Sequence, residues 1–289
     1  MSLVCPTRLP HCRDMKNFLL ELVTSPFLRM AFLSACLASV AAGIVGSYIV
    51  IKRIVFISGG ISHSVLGGLG LFFYLQRTLG LPWLQPLYGA LLFAIISAFL
   101  IGLIHLRYRG REDIIIAAMW AFGMSLGVLF TSLTPGYNVE LLSFLFGNIL
   151  WTTSRDLILL GVLDVVLLIT VFFMHPYFFA ICFDERQARL QTKYVDVIYF
   201  ILLAFTAITI VLLIQIIGAI LIISMLCLPP AISNLITKKF IIMVPLAIAL
   251  SILFSFAGLY FSFTFNWPTG ATIGLLSTTT YLLCSLQLK

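Results

Sequence analysis

Charge is what this sequence has least of. Asp, Glu, Lys and Arg make up 9% of its 289 residues, where a soluble globular domain carries roughly 25%. Hydrophobic residues reach 62% and the mean hydropathy is +1.16, a balance that only lipid solvates. No hydrophilic stretch is long enough for a separate soluble domain. Strict alternation is missing from the apolar runs, which disfavours a β-barrel, so the backbone polar groups must be satisfied inside helices. No CxxC pair occurs among the six cysteines (Cys5, Cys12, Cys36, Cys182, Cys227 and Cys284), and most lie in or near apolar segments, where cysteine acts as a small hydrophobe. The spacing of Cys5 and Cys12 lacks the second cluster that a structural zinc site needs. Also absent are GxxxxGK[ST], HExxH and GxSxG, so an ATP-driven mechanism requires another chain. The net charge of +7 comes from basic residues set singly or in twos and threes between apolar runs. That is a topology signal rather than a phosphate-binding face, and it excludes nucleic acid as a partner.

What remains is an all-α integral membrane protein, a polytopic bundle of about nine transmembrane helices, with eight or ten as the bounds. A hydrocarbon core takes about 20 apolar helical residues, and the runs fall at 27–51, 54–76, 84–106, 114–134, 157–175, 195–214, 216–236, 241–263 and 269–287. The sixth and seventh touch at Gln215 to Gly218. Residues 1–26 form an N-terminal tail, with 15–23 as a short interfacial helix, and 27–289 form the transmembrane domain. The run at Phe27 to Ile51 lacks the short core and small-residue cleavage site of a signal peptide, so it reads as a retained helix. With nine spans, one set of loops holds Lys52, Arg53, Arg107, Arg109, Arg111, Arg186, Arg189, Lys193, Lys238, Lys239 and Lys289, whereas the other, leaving out the N-terminal tail with Arg8, Arg13 and Lys16, holds Arg77 and Arg155. The first set is therefore cytoplasmic. Between the fourth and fifth spans, 140–151 is too short to cross and too apolar for a loop, and reads as a half-inserted outer helix packed on protein.

Few residues in these spans carry chemistry. The second span opens with Ser58, Gly59, Gly60, Ile61, Ser62, His63 and Ser64 and runs on to Gly67 and Gly68. Gly59, His63 and Gly67 share one stripe, and Gly60, Ser64 and Gly68 the stripe beside it. His63 lies ten residues beyond Arg53, about 15 Å and so near mid-membrane. Two readings stand: a histidine of a metal pathway, since imidazole suits zinc, copper, iron and nickel, or a packing histidine in a small-residue interface. Asp164 is the one carboxylate near mid-depth, either a ligand or partner of His63, or a group paired with Ser, Tyr or backbone. His105 and His175 fall at inner span ends, where interfacial water explains them, and Asp156 suits an N-terminal cap.

At these residues the sequence resembles the permeases of metal-uptake ABC importers, the zinc, manganese and iron class. The landmarks are Ser58 to Ser64, Glu112 and Asp113 with the following isoleucines, Phe144 to Leu150, Phe183 to Ala188, Ile217 to Pro229 and Pro268 to Gly270, in the family's order. The match runs from about residue 27 to the C-terminus. The resemblance implies a bacterial cytoplasmic (inner) membrane location, two copies of the permease forming one pathway, cytoplasmic ATP-binding subunits and an extracytoplasmic metal-binding protein. It implies no permanently bound cofactor, the divalent metal being cargo. It places ATPase coupling at Pro229, Pro230, Ala231, Ser233, Asn234, Lys238 and Lys239, where the paired prolines read as a break in the seventh span. Many relatives carry an acid one turn before the histidine where this chain has Gly59. Manganese favours carboxylate and water, and zinc accepts imidazole, so the departure favours zinc over manganese or iron.

Two other functions compete. A secondary-active transporter would use an ion gradient and often shows inverted repeats, of which no convincing one is found. An intramembrane enzyme using His63 and Asp164 as acid and base would want a nucleophile motif, and none accompanies them.

Overall fold

The computed structural model describes residues 11–81, 83–107, 112–134 and 152–287. Among these there is no strand, and the helices are α1 (His11–Thr24), α2 (Pro26–Lys52), α3 (Val55–Leu79), α4 (Pro86–Arg107), α5 (Glu112–Leu133), α6 (Ser154–Phe183), α7 (Glu185–Gln191), α8 (Val195–Ile217), α9 (Ala219–Ile236), α10 (Phe240–Phe265) and α11 (Thr269–Gln287). Seven of them, α2 to α6, α8 and α10, are long and apolar enough to cross a membrane. The other two expected spans coincide with α9 and α11, of 18 and 19 residues. The expected half-inserted segment 140–151, with the landmark Phe144 to Leu150, lies outside the described residues.

Helix ends follow local chemistry. Arg53 closes α2 in the left-handed region at φ 62° and Asn266 closes α10 at φ 55°. Thr153 and Asp156 form a capping box at the start of α6, the Thr153 N–H donating to Asp156 at 2.9 Å. The junction left open between the sixth and seventh spans is a single residue, Gly218, at φ 88° and ψ 155°. Only glycine enters that region readily.

The paired prolines read as a break in the seventh span do not break it, and the fifth span, expected to end at 175, continues past a proline. α6 runs through Pro176 to Phe183, and α9 runs through Pro229 and Pro230 to Ile236. Inside a bundle, neighbouring helices and local adjustments accommodate the carbonyl a proline frees, so a transmembrane helix can run on through it. The carbonyl that Pro230 cannot serve is that of Leu226, four residues back. It faces Gly46 of α2, where a Cβ would collide with the Leu226 oxygen. The missing side chain of Gly46 thus lets two backbones meet at the point where α9 has lost a hydrogen bond.

α2 sits at the centre, packed on α6, α9 and α10, while α3 lies between α4 and α5 and α8 joins the two groups. At the outer end, Phe18 of α1 is fully buried among Phe256, Tyr260 and Phe263 of α10, with ring centroids 5.5–5.6 Å apart. At the inner end, one carboxylate gathers four helices. Glu185 pairs with Lys52 at 3.1 Å, His105 at 3.4 Å and Arg189 at 2.9 Å, and Arg189 reaches Asp196 at 2.7 Å. Lys52 also donates to the Ile181 carbonyl at 2.9 Å. His105 and His175, expected to rely on interfacial water, are instead held by protein. His175 is hydrogen-bonded to the Tyr48 hydroxyl at 2.8 Å and stacks on Phe240. Burial alone would raise the Glu185 carboxyl, but hydrogen bonds from Arg189, Lys52 and His105, with the Lys52 charge, outweigh it and push it down to about 2.

Gly46→Ala is expected to cost about 1–3 kcal/mol through overpacking. Gly161→Ala, whose Cβ would meet nothing within 4 Å, is the matched control, and thermal unfolding in detergent compares the two. A carboxyl held below its ordinary value of 4.5 contributes stability present above that pH and lost as pH falls towards about 2. Acid titration of thermal stability checks this, and Glu185→Gln is expected to flatten the curve over that window.

Candidate metal pathway

α3 turns two different faces to its neighbours. One is closed by backbone contact: a Cβ on Gly68 would collide with the Gly89 carbonyl of α4, and one on Gly123 of α5 with the Ser64 backbone. A Cβ on Gly67 would stand 3.0 Å from the Gly123 oxygen, and one on Gly60 would stand 2.8 Å from Ile116. Ser64, Gly67 and Gly68 thus pack helices, and Gly60 lies with them rather than beside open space. Ser58, Ser62 and Ser64 are buried, and their hydroxyls donate back to Val55, Ser58 and Ile61 at 2.6, 2.7 and 2.8 Å.

The other face carries Gly59 and His63. A Cβ on Gly59 would meet Trp120 of α5 at 3.7 Å and Ile223 of α9 at 3.8 Å, ordinary van der Waals distances. His63, half-buried, stacks on Trp120 with centroids 4.1 Å apart and planes 9° from parallel. Its Nδ1 is buried without a hydrogen-bond partner. Cys227 of α9 lies 3.9 Å from the Ser58 hydroxyl, just below. The face therefore offers an imidazole and room for one small side chain, between α3, α5 and α9.

Asp164 is elsewhere. It is 5% exposed on α6 and lies against the Ala41 backbone of α2. α6 packs on α2, α7 and α8, whereas the main neighbours of α3 are α4, α5, α8 and α9, so the fold does not bring Asp164 to His63. Among the described residues no three His, Cys, Asp or Glu side chains gather as a metal-binding group. Trp120 was not legible as a site residue. It stands one turn before Gly123 and two turns before Gly127, which meet α3.

At the inner end of α9, Pro229, Pro230 and Ser233 are buried and the Ser233 hydroxyl donates to the Pro229 carbonyl at 2.8 Å. Ala231 and Asn234 are half-buried, and Ile236, Lys238 and Lys239 are exposed. The accessible part of the expected coupling segment is thus its last turn and the residues after it. At the outer end, a recess of about 520 Å³ is lined by Leu69, Gln85, Pro86, Arg155, Asp156 and Gln215 among others, with Gln215 donating to Asp156 at 3.4 Å.

A family model described as the ABC 3 transport family matches residues 24–288. The chain belongs to the ABC 3 transport family. It is 49% identical over 245 residues to a probable metal transport system membrane protein of Chlamydia pneumoniae, covering 85% of this chain and 83% of that one. It is 28% identical to the manganese transport system membrane protein MntC of Halalkalibacterium halodurans, over 91% of this chain and 88% of the relative. Among solved structures, PsaBC from Streptococcus pneumoniae in complex with Fab superposes with a TM-score of 0.81 at 25% identity, covering 93% of this chain and 95% of that one. This ABC 3 family member is a multi-pass bacterial membrane protein.

A cysteine replacing Lys238, on a background without the native cysteines, is expected to react with a membrane-impermeant thiol reagent only from the cytoplasmic face. Labelling in right-side-out cells would invert the topology argued from the basic loops.

Proposed function

We propose that the chain is the membrane-spanning subunit of an ATP-driven ABC importer for a divalent transition metal, passing the ion along α3 past His63 and Gly59. Family membership makes it a transport subunit rather than an enzyme, with hydrolysis carried by separate cytoplasmic ATP-binding subunits. These dock on the exposed end of α9 and the turn at Lys238 and Lys239. A second copy completes the pathway, and an extracytoplasmic metal-binding protein delivers the ion. No cofactor stays bound.

The observation that carries the reading is the face of α3 at which His63 stands next to an unfilled position. An ionisable ring near mid-membrane is costly unless it serves a pathway, and the other polar side chains of this stretch are spent on their own helix. Zinc is favoured over manganese or iron. The donor beside the opening is an imidazole, which borderline metals accept, whereas manganese wants carboxylate and water. Relatives named for manganese transport share 28% of their residues with this chain. Asp164, on another interface, is left outside the proposed path.

His63→Ala is expected to lower radiometal uptake in proteoliposomes at least tenfold, on the order of removing one good ligand, while the permease–ATPase complex still assembles. Wild-type uptake in that mutant would remove the path. Gly59→Asp has space for its Cβ and restores a hard oxygen donor one turn from His63. It is expected to raise manganese uptake relative to zinc in competition, each loaded on the same binding protein. An unchanged ratio in an assembled, ATP-hydrolysing mutant would refute the zinc preference.

A further inference from the structure

α5 supplies two groups that the pathway reading leaves unused. The Trp120 indole lies flat over the His63 imidazole, 4.1 Å between centroids and 9° between planes. Its ring edge is also the neighbour, at 3.7 Å, of the unfilled position at Gly59. The indole N–H donates to the Met124 sulfur one turn on, at 3.2 Å, which fixes the ring's rotation. One side chain therefore touches both features of the proposed path and is itself tied down.

A metal-binding histidine ordinarily has its second ring nitrogen held by a carboxylate or a carbonyl, which sets the ring's orientation. His63 Nδ1 is buried and has no such partner. The imidazole is oriented through its face instead of its edge. We propose that Trp120 is the positioning residue of the metal path, its indole face aligning the His63 imidazole and favouring the ring in its metal-bound form. An imidazole that coordinates a divalent cation takes on part of its positive charge, and the face of an indole is electron-rich, so the stack strengthens on loading. The Met124 thioether, by accepting the N–H, keeps that face presented. The proposal rests on His63 being a path residue.

The test uses the permease with its ATP-binding subunits in lipid nanodiscs, and zinc ion alone as the probe. In a chain with Trp83, Trp151 and Trp267 changed to Phe, the emission of Trp120 is expected to change on adding zinc, and His63→Ala is expected to abolish that change. If the triple background fails to assemble, the difference between wild type and Trp120→Phe on zinc addition gives the same reading. In uptake assays Trp120→Ala is expected to raise the zinc concentration for half-maximal uptake about tenfold, the order of a lost cation–π contact. Trp120→Phe, which keeps an aromatic face, is expected to lose less, and the maximal rate stays near wild type in both. Trp120 emission blind to zinc, in a protein whose uptake still depends on His63, would overturn the positioning role and leave the pathway standing. Uptake independent of His63 would remove both.

Discussion

Backbone against backbone is the contact on which this fold depends. α3 can sit between α4 and α5 only because glycines on all three helices remove the side chains that would hold them apart, with Gly68 on Gly89 and Gly67 and Ser64 on Gly123. Lipid tails are as apolar as leucine, so helices in a bilayer gain little from hiding apolar surface. They associate through close van der Waals packing and interhelical polar contacts instead. The same closeness sets where the proposed path can run. Once Gly60, Ser64, Gly67 and Gly68 are consumed by packing, the remaining face of α3 is the one with His63 and Gly59, and α5 and α9 become its walls.

The inner end is organised differently. There a single carboxylate, Glu185, draws Lys52, His105 and Arg189 together from α2, α4 and α7, and Arg189 extends the set to Asp196 of α8. Such a network ties four helices at their ends, where water is near enough to lower the cost of burying charge and the pairs are still partly shielded. The bilayer-facing part of the bundle is thus held by shape, and its cytoplasmic end by charge.

Much of this was legible in the residue order. Apolar runs located the span ends within about three residues except at the end of α6, expected at 175 and found at Phe183, because the thickness of a bilayer is a strict ruler. The density of lysine and arginine on alternate loops assigned one end to the cytoplasm, and the ion-pair cluster stands at that end. Proline misled at Pro229 and Pro230, which sit inside a continuous helix, because packing against neighbouring helices holds it together across the lost hydrogen bond. The two stripes of α3 stood side by side in the sequence, and only the neighbours separate them: Gly60 meets Ile116, and Gly59 is left open. Trp120 escaped notice for a related reason. Which residue of α5 meets His63 depends on how α5 is turned about its own axis, and no spacing within either helix states that.

The continuity of α9 has a mechanical meaning. Ile223, beside the opening at Gly59, and Ile236, at the cytoplasmic exit, belong to one unbroken helix, thirteen residues and so roughly 20 Å apart along its axis. The end of that helix nearer the outer face is joined to α8 by Gly218 alone. Ile223 lies five residues from that glycine and Ile236 eighteen, so any rotation of the helix about Gly218 would move Ile236 more than three times as far as Ile223.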